Sequence, residues 1–239
     1  FDLSIDWQRR ADARNDRSRL VIINFPHNPT GAILSEADLR QLAELLRDSQ
    51  AYLLSDEVYE HIVFDGEPHV SALSIDELWQ RSFIVSSFGK TYHATGWKVG
   101  YCMAPAELTT EFRKVHQFTT FAVNTPVQHA LADFMQGNPA FHERLPAFYE
   151  EKRDLFCRLL GESRFRLHPA RSTFFQIVDY GGISDEEDVA LAKRWTEEVG
   201  VASIPLSVFC EQPFTGTRLR FCFAKDDDTL AAACEKLSR

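Results

Sequence analysis

Short apolar runs that end in polar clusters recur along the first hundred residues. Leu20-Val21-Ile22-Ile23 leads into Asn24-Phe25-Pro26-His27-Asn28-Pro29-Thr30-Gly31. Tyr52-Leu53-Leu54 leads into Ser55-Asp56-Glu57, and Phe83-Ile84-Val85 into Ser86-Ser87. Each run reads as a buried strand whose C-terminal end opens into polar residues. They recur about 30 residues apart, the span of a βαβ unit. Between the first two, Ser35 is a predicted N-cap with Glu36 and Asp38 in the first turn. Leu39, Leu42, Ala43 and Leu46 then make one apolar stripe at helical spacing. The pattern predicts an α/β fold with a mostly parallel sheet, its polar clusters gathered on the carboxyl edge where such sheets bind ligands.

The fourth run breaks the rhythm. Only about ten residues separate Ser86 from Trp97, too few for a helical crossover. A strand over 98–103 is therefore predicted to return antiparallel, with Lys90 on the intervening turn and Lys98 at the start of the return strand. Further on, Pro105 and Pro126 suit first helical turns, the latter after a Thr125 cap. A long helix is predicted over 139–160 and a strand over 174–178. Ser184-Asp185-Glu186-Glu187 reads as a capping box opening a helix that ends before Gly200. Strands over 201–204 and 218–223 and a helix near 228–238 complete an α+β unit. The domain boundary is expected between 125 and 150, within helix. It is drawn as a large domain over 1–135 and a smaller C-terminal domain over 136–239. No internal repeat or low-complexity tract interrupts the chain.

Composition narrows the function. The 239 residues suffice for a substantial core. A net charge of −9 argues against nucleic acid as a partner, since that binding needs basic surface. No apolar stretch reaches the length of a membrane span. The five cysteines (Cys102, Cys157, Cys210, Cys222 and Cys234) are scattered and odd in number and lack CxxC spacing. That suggests buried thiols in a reducing, cytoplasmic setting, with no metal site. No stretch reads as a secretory signal, and the opening on Phe1 suggests the later part of a longer protein.

Several residues bear chemistry, each with a plainer alternative. Lys90 is a solvated surface charge unless burial and neighbouring positive charge make its amine neutral and nucleophilic. Ser86, Ser87 and Lys98 are a polar turn, or the donors and cation that a phosphate needs. Asp56 caps a following turn, or pairs with a protonated heterocyclic nitrogen. Tyr59, three residues on, could reach the same ligand. Asn28 is an Asx turn, or an amide aimed into the crevice. The Asn28–Pro29 bond is a candidate for cis. Arg218 and Arg220 share one face of a strand, in rim salt bridges or gripping a carboxylate through paired bonds.

The order of NPTG, SDEVYEH, SSFGKTYHATGWKVGY and RLRFCFAK resembles the class I aminotransferases, fold-type-I pyridoxal phosphate enzymes. Within them it looks closest to the methionine and kynurenine aminotransferase group, and HQFTTFAVNTPVQHALADF and IPLSVFC resemble the methionine aminotransferases in particular. The resemblance implies pyridoxal 5′-phosphate as cofactor, amino acid and 2-oxo acid substrates, and a homodimer. It implies that Lys90 joins the cofactor aldehyde and shuttles the proton, and that Asp56 pairs with the pyridinium nitrogen. Asn28 and Tyr59 would hold the phenolic oxygen, Ser87 and Lys98 the phosphate, and Arg220, helped by Asn28, the substrate carboxylate. Many relatives have arginine where this chain has Lys98. Phe118 and Phe121 are candidates to line the side-chain pocket. The resemblance also implies that the family's N-terminal part, with its glycine-rich phosphate turn, is missing here, leaving the sheet incomplete. Two other activities fit these residues: a carbon–sulfur β-lyase, and a non-catalytic cofactor-binding sensor fused to a DNA-binding module.

Overall fold

The structure, a computed structural model, describes residues 5–211 and 216–238. They fall into two compact units. Among the described residues, one holds 5–26 together with Ile33–Leu145; the other holds His27–Ala32 with 146–211 and 216–238.

The first unit opens with α1 (Trp7–Ala13) and is built on a sheet of β1 (Leu20–Asn24), β2 (Tyr52–Asp56), β3 (Ser82–Ser87) and β4 (Gly100–Met103), in that order. β1, β2 and β3 run parallel, and β4 returns antiparallel to β3, as the spacing predicts. The first crossover is α2 (Glu36–Leu46), capped reciprocally: Asp38 N–H donates to the Ser35 hydroxyl at 3.2 Å and Ser35 N–H to the Asp38 carboxylate at 2.9 Å. Its leucine stripe buries Leu39, Leu42 and Leu46 in a core shared with Leu53, Leu78 and Ile84. The second crossover carries only a 3-10 turn (Ala72–Ser74) and the short α3 (Asp76–Trp79).

β3 passes directly into α4 (Phe88–Thr91), then a 3-10 turn over Thr95–Trp97. The return strand starts two residues later than predicted. Lys98 has φ +55° and closes the 3-10 turn, so the ladder opens at Ser87 opposite Gly100. Lys98 therefore sits on the turn and not in the strand. α5 (Ala106–Thr119) follows Pro105, and α6 spans Thr125–Gly137. The cap of α6 is Asn124 and not Thr125: the Asn124 side chain accepts from Val127 N–H at 3.2 Å, leaving Thr125 and Pro126 in the first turn. α5 buries no residue and α6 buries only Leu131.

α7 spans Leu145–Gly161. It begins later than the predicted 139, because Pro146 lacks an N–H and fits only a first turn. The second unit's sheet is β5 (Arg166–Leu167), β6 (Phe175–Asp179), β7 (Ile204–Pro205) and β8 (Arg218–Cys222), in the order β5-β6-β8-β7 and wholly antiparallel. α8 (Asp188–Glu198) and α9 (Asp227–Leu237) accompany it, with Val178, Leu219, Phe223 and Leu191 fully buried. The 184–187 sequence does not cap α8. Ser184 closes a tight turn onto Glu186 N–H at 3.2 Å, and the Glu186 carboxylate is taken by Arg194. The helix starts after it, at Asp188.

Leu53 has no exposed surface and sits at the centre of the first unit's core. Leu53→Ala is expected to lower unfolding free energy by about 2–5 kcal/mol with an unchanged urea m-value. A loss under about 1 kcal/mol would contradict that placement.

Candidate active site

Two adjacent carboxylates end β2, and their surroundings differ. Glu57 is buried. Its oxygens accept from the Ser55 hydroxyl at 2.8 Å and Ala72 N–H at 3.0 Å, and face His69 Nε2 at 2.8 Å. Burial alone pushes its pKa up, but His69, Ser71 and the Ala72 N–H outweigh burial and hold it below the usual carboxylate range. Asp56 has fewer partners. Val58 N–H donates to it at 3.2 Å and the Asn24 side chain gives a second bond. Burial dominates here, so Asp56 lies above its ordinary 3.8. One carboxylate is satisfied by the protein; its neighbour would gain from a cation.

An amine stands near, but it offsets the burial of Asp56 only in part. The Lys90 charge acts on Asp56, and its Nζ lies 5.7 Å from the centre of the buried Tyr59 ring. Lys90 is held on α4 by a tight corner. The Ser87 hydroxyl accepts from Gly89 N–H at 3.1 Å and donates to the Val99 carbonyl at 3.3 Å. A Cβ on Gly89 would come within 2.7 Å of the Thr95 Cα, so only glycine permits this approach. Asp56, Tyr59 and Lys90 thus converge, while Ser87 opens and Lys98 closes the same turn, with Lys98 exposed. Ser86 is committed elsewhere. Its hydroxyl donates to Glu60 at 2.7 Å, and Glu60 also accepts from Tyr101, whose hydroxyl is pushed up to about 12 by burial and that bond.

The second unit holds the other constellation. Arg220 donates through Nη1 to the Asn28 side-chain oxygen. Its guanidinium carbon lies 4.0 Å from the Phe175 ring centre and 5.2 Å from that of Phe209. Arg218 instead stands opposite Asp179, whose carboxylate it helps to lower. Asn28 is carried on a tight segment in which both Phe25–Pro26 and Asn28–Pro29 are cis. Gly31 has φ +69°, and a Cβ there would lie 2.9 Å from that of Ala170. The Ser172 hydroxyl fastens the Gly31 carbonyl at 2.9 Å.

Some contributors escaped the sequence reading. Asn24 ends β1 directly opposite Asp56 and binds both its carboxylate and, at 3.3 Å, its carbonyl. An amide at one strand end, in line with a carboxylate at the next, was the available signal. Glu57, His69, Phe175 and Phe209 have no local signature, because their roles depend on distant partners. Phe118 and Phe121, expected in a side-chain pocket, are 86% and 84% exposed. The thiols expected to be buried are more varied: all five are free, and Cys210 is exposed.

A buried-edge carboxylate short of a cation, a neighbouring amine, a ring-facing tyrosine and a hydroxyl-and-lysine turn fit a phosphorylated pyridine aldehyde. On a mostly parallel sheet, this set defines the fold-type-I pyridoxal phosphate enzymes. The aminotransferase class I and II family model matches residues 3–237, and the chain belongs to that family. It is 49% identical over 233 residues to the methionine aminotransferase of Escherichia coli K12, covering 98% of this chain and 60% of that protein. It is 33% identical over 261 residues to rat kynurenine–oxoglutarate transaminase 1, covering 99% and 62%. A crystal structure of an Escherichia coli protein with a methionine aminotransferase function superposes with a TM-score of 0.95 at 48% identity, covering 98% of this chain and 62% of that one. The chain thus spans about 60% of the length of these relatives.

Because the folded pKa of Asp56 is raised, the stability it contributes is present below the unfolded value and lost as pH rises through the folded one. Ionised Asp56 therefore destabilises the cofactor-free protein at neutral pH. Asp56→Asn is expected to raise the cofactor-free thermal midpoint at pH 7, with the gain vanishing below about pH 4. Calorimetry across that range checks this; a lowered midpoint at pH 7 would contradict it.

Proposed function

We propose that the intact protein is a pyridoxal-phosphate-dependent aminotransferase. It moves the amino group of methionine, or another large neutral or aromatic amino acid, to a 2-oxo acid. The observation that carries this reading is the convergence of Lys90, Tyr59 and Asp56 at the carboxyl edge of the sheet. The substrate class is supported by the similar methionine aminotransferase and kynurenine transaminase.

When bound, pyridoxal phosphate supplies the electron sink that makes an amino acid's α-proton removable. Lys90 would hold the cofactor through its ε-amine, and the same amine, when free, would carry the substrate α-proton. Asp56 would pair with the protonated ring nitrogen, an ionic partner that its own burial favours. Tyr59 and Asn28 would donate to the phenolic oxygen. Ser87 and Lys98 would hold the phosphate, Lys98 as a point charge without an arginine's fork. Arg220 grips the substrate α-carboxylate, with Asn28 steadying the guanidinium.

The reading includes a second copy of the chain as partner. Val115, Phe118 and Phe121 expose apolar surface that a homodimer would cover. It also includes the cytoplasm, whose reducing conditions suit five free thiols. Among the described residues no helix is long and apolar enough to cross a membrane.

The test is spectroscopic. The visible absorption of the cofactor-loaded protein should shift on adding methionine and return on adding a 2-oxo acid. Lys90→Ala should abolish the borohydride-reducible adduct and lower turnover by at least about 10²–10⁴-fold. A reducible adduct retained in that variant would remove Lys90 from its role.

A further inference from the structure

Among the described residues of the second unit, one buried carboxylate stands outside the roles above. Asp188 opens α8 and is only 5% exposed. A carboxylate so far from water needs hydrogen bonds on its oxygens. One residue supplies both: Ser207 N–H donates to Oδ2 at 2.8 Å and the Ser207 hydroxyl to Oδ1 at 2.7 Å. A two-pronged bond of this kind sets orientation as well as position.

Ser207 lies in the 3-10 turn Leu206–Phe209, which directly follows β7. β7 has two residues, of which Pro205 cannot donate to the ladder, and Ile204 stands opposite Arg220. The clamp from Asp188 supplies the hold that so short a strand lacks. With Ser207 fixed, Leu206 is buried, while Val208 and Phe209 remain exposed, Phe209 with its ring against Arg220. The guanidinium then has Phe209 and Phe175 against it and Asn28 on one nitrogen. Aromatic rings against a planar guanidinium limit the directions its donor fork can take.

We infer that Asp188 is a positioning residue for substrate binding: through Ser207 it sets the Leu206–Phe209 turn, and Phe209 holds the plane of Arg220. The inference rests on the assignment of Arg220 to the substrate carboxylate. The favoured ligand class is an α-amino or 2-oxo monocarboxylate with an uncharged side chain. Arg220 takes the carboxylate, and Phe209 offers apolar surface next to it.

The experiment uses the intact, cofactor-loaded protein. Binding of 4-methylthio-2-oxobutanoate, which cannot react without an amino donor, is measured by calorimetry beside methionine KM and kcat. Asp188→Asn and Phe209→Ala should each weaken binding and raise KM by about tenfold, with kcat within about threefold of wild type. Ser207→Ala, which removes only the hydroxyl prong, should weaken binding by about threefold. The cofactor absorption should not change. In an Arg220→Lys background, Asp188→Asn should add less than about a further twofold, since the two act as one unit. Unchanged affinity in folded Asp188→Asn, Ser207→Ala and Phe209→Ala proteins, with Arg220→Lys impaired, would overturn the inference alone. Full additivity with Arg220→Lys would do the same. Unchanged affinity in Arg220→Lys would remove the carboxylate assignment and the inference with it. If Asp188→Asn does not fold, Ser207→Ala and Phe209→Ala carry the same comparison.

Discussion

The chemistry depends on how two neighbouring carboxylates at the end of β2 are treated. Alternation along the strand sends Glu57 inward and Asp56 toward the carboxyl edge. The inward one is surrounded by donors from Ser55, His69 and Ala72, which make its charge acceptable in the interior. The outward one is partly desolvated and under-supplied, so it lies above its ordinary range. A protein that satisfied both would have no use for a cationic ligand at this point. Pairs of titratable groups driven apart by their surroundings are what acid–base sites are made of.

The surrounding fold keeps that contrast in place. Parallel pairing brings Asn24 level with Asp56, so the amide supports the carboxylate from the next strand. The antiparallel return of β4 confines Lys90 to a short corner, where Gly89 allows the backbone to pass close to Thr95. The amine is thereby presented by the short helix α4 and not by a loop. The same corner accounts for the late start of β4, since closing it required a left-handed residue at Lys98.

The second unit solves a related problem with different means. Arg220 must be charged yet kept in one orientation. An amide from the PHNPTG segment and two phenylalanine rings provide that, and a buried aspartate anchors the turn bearing one of the rings. The anchoring bond runs from the first residue of α8 to the turn after β7, 19 positions along the chain. Short strands make such side-chain clamps necessary, because two residues give little ladder to hold register.

Period and punctuation by themselves determined much of this protein. The apolar runs marked β1 to β4, the ten-residue gap required an antiparallel return, and Ser35 with its leucine stripe specified α2. The order of motifs pointed to the family and to Lys90, Asp56 and Arg220 as its chemical residues. These signals are local or nearly so, and local signals are legible in one dimension. Tertiary structure alone decided the rest. Ser184–Glu187 has the letters of a capping box, yet Arg194 takes Glu186 and the helix starts at Asp188, already committed to Ser207. Ser86 looked like a phosphate ligand until Glu60, from the turn that follows β2, claimed it. His69 and Phe209 carry no mark of their own. What each does follows from partners that only chain folding brings within hydrogen-bonding or ring-contact distance, and sequence spacing does not encode that distance.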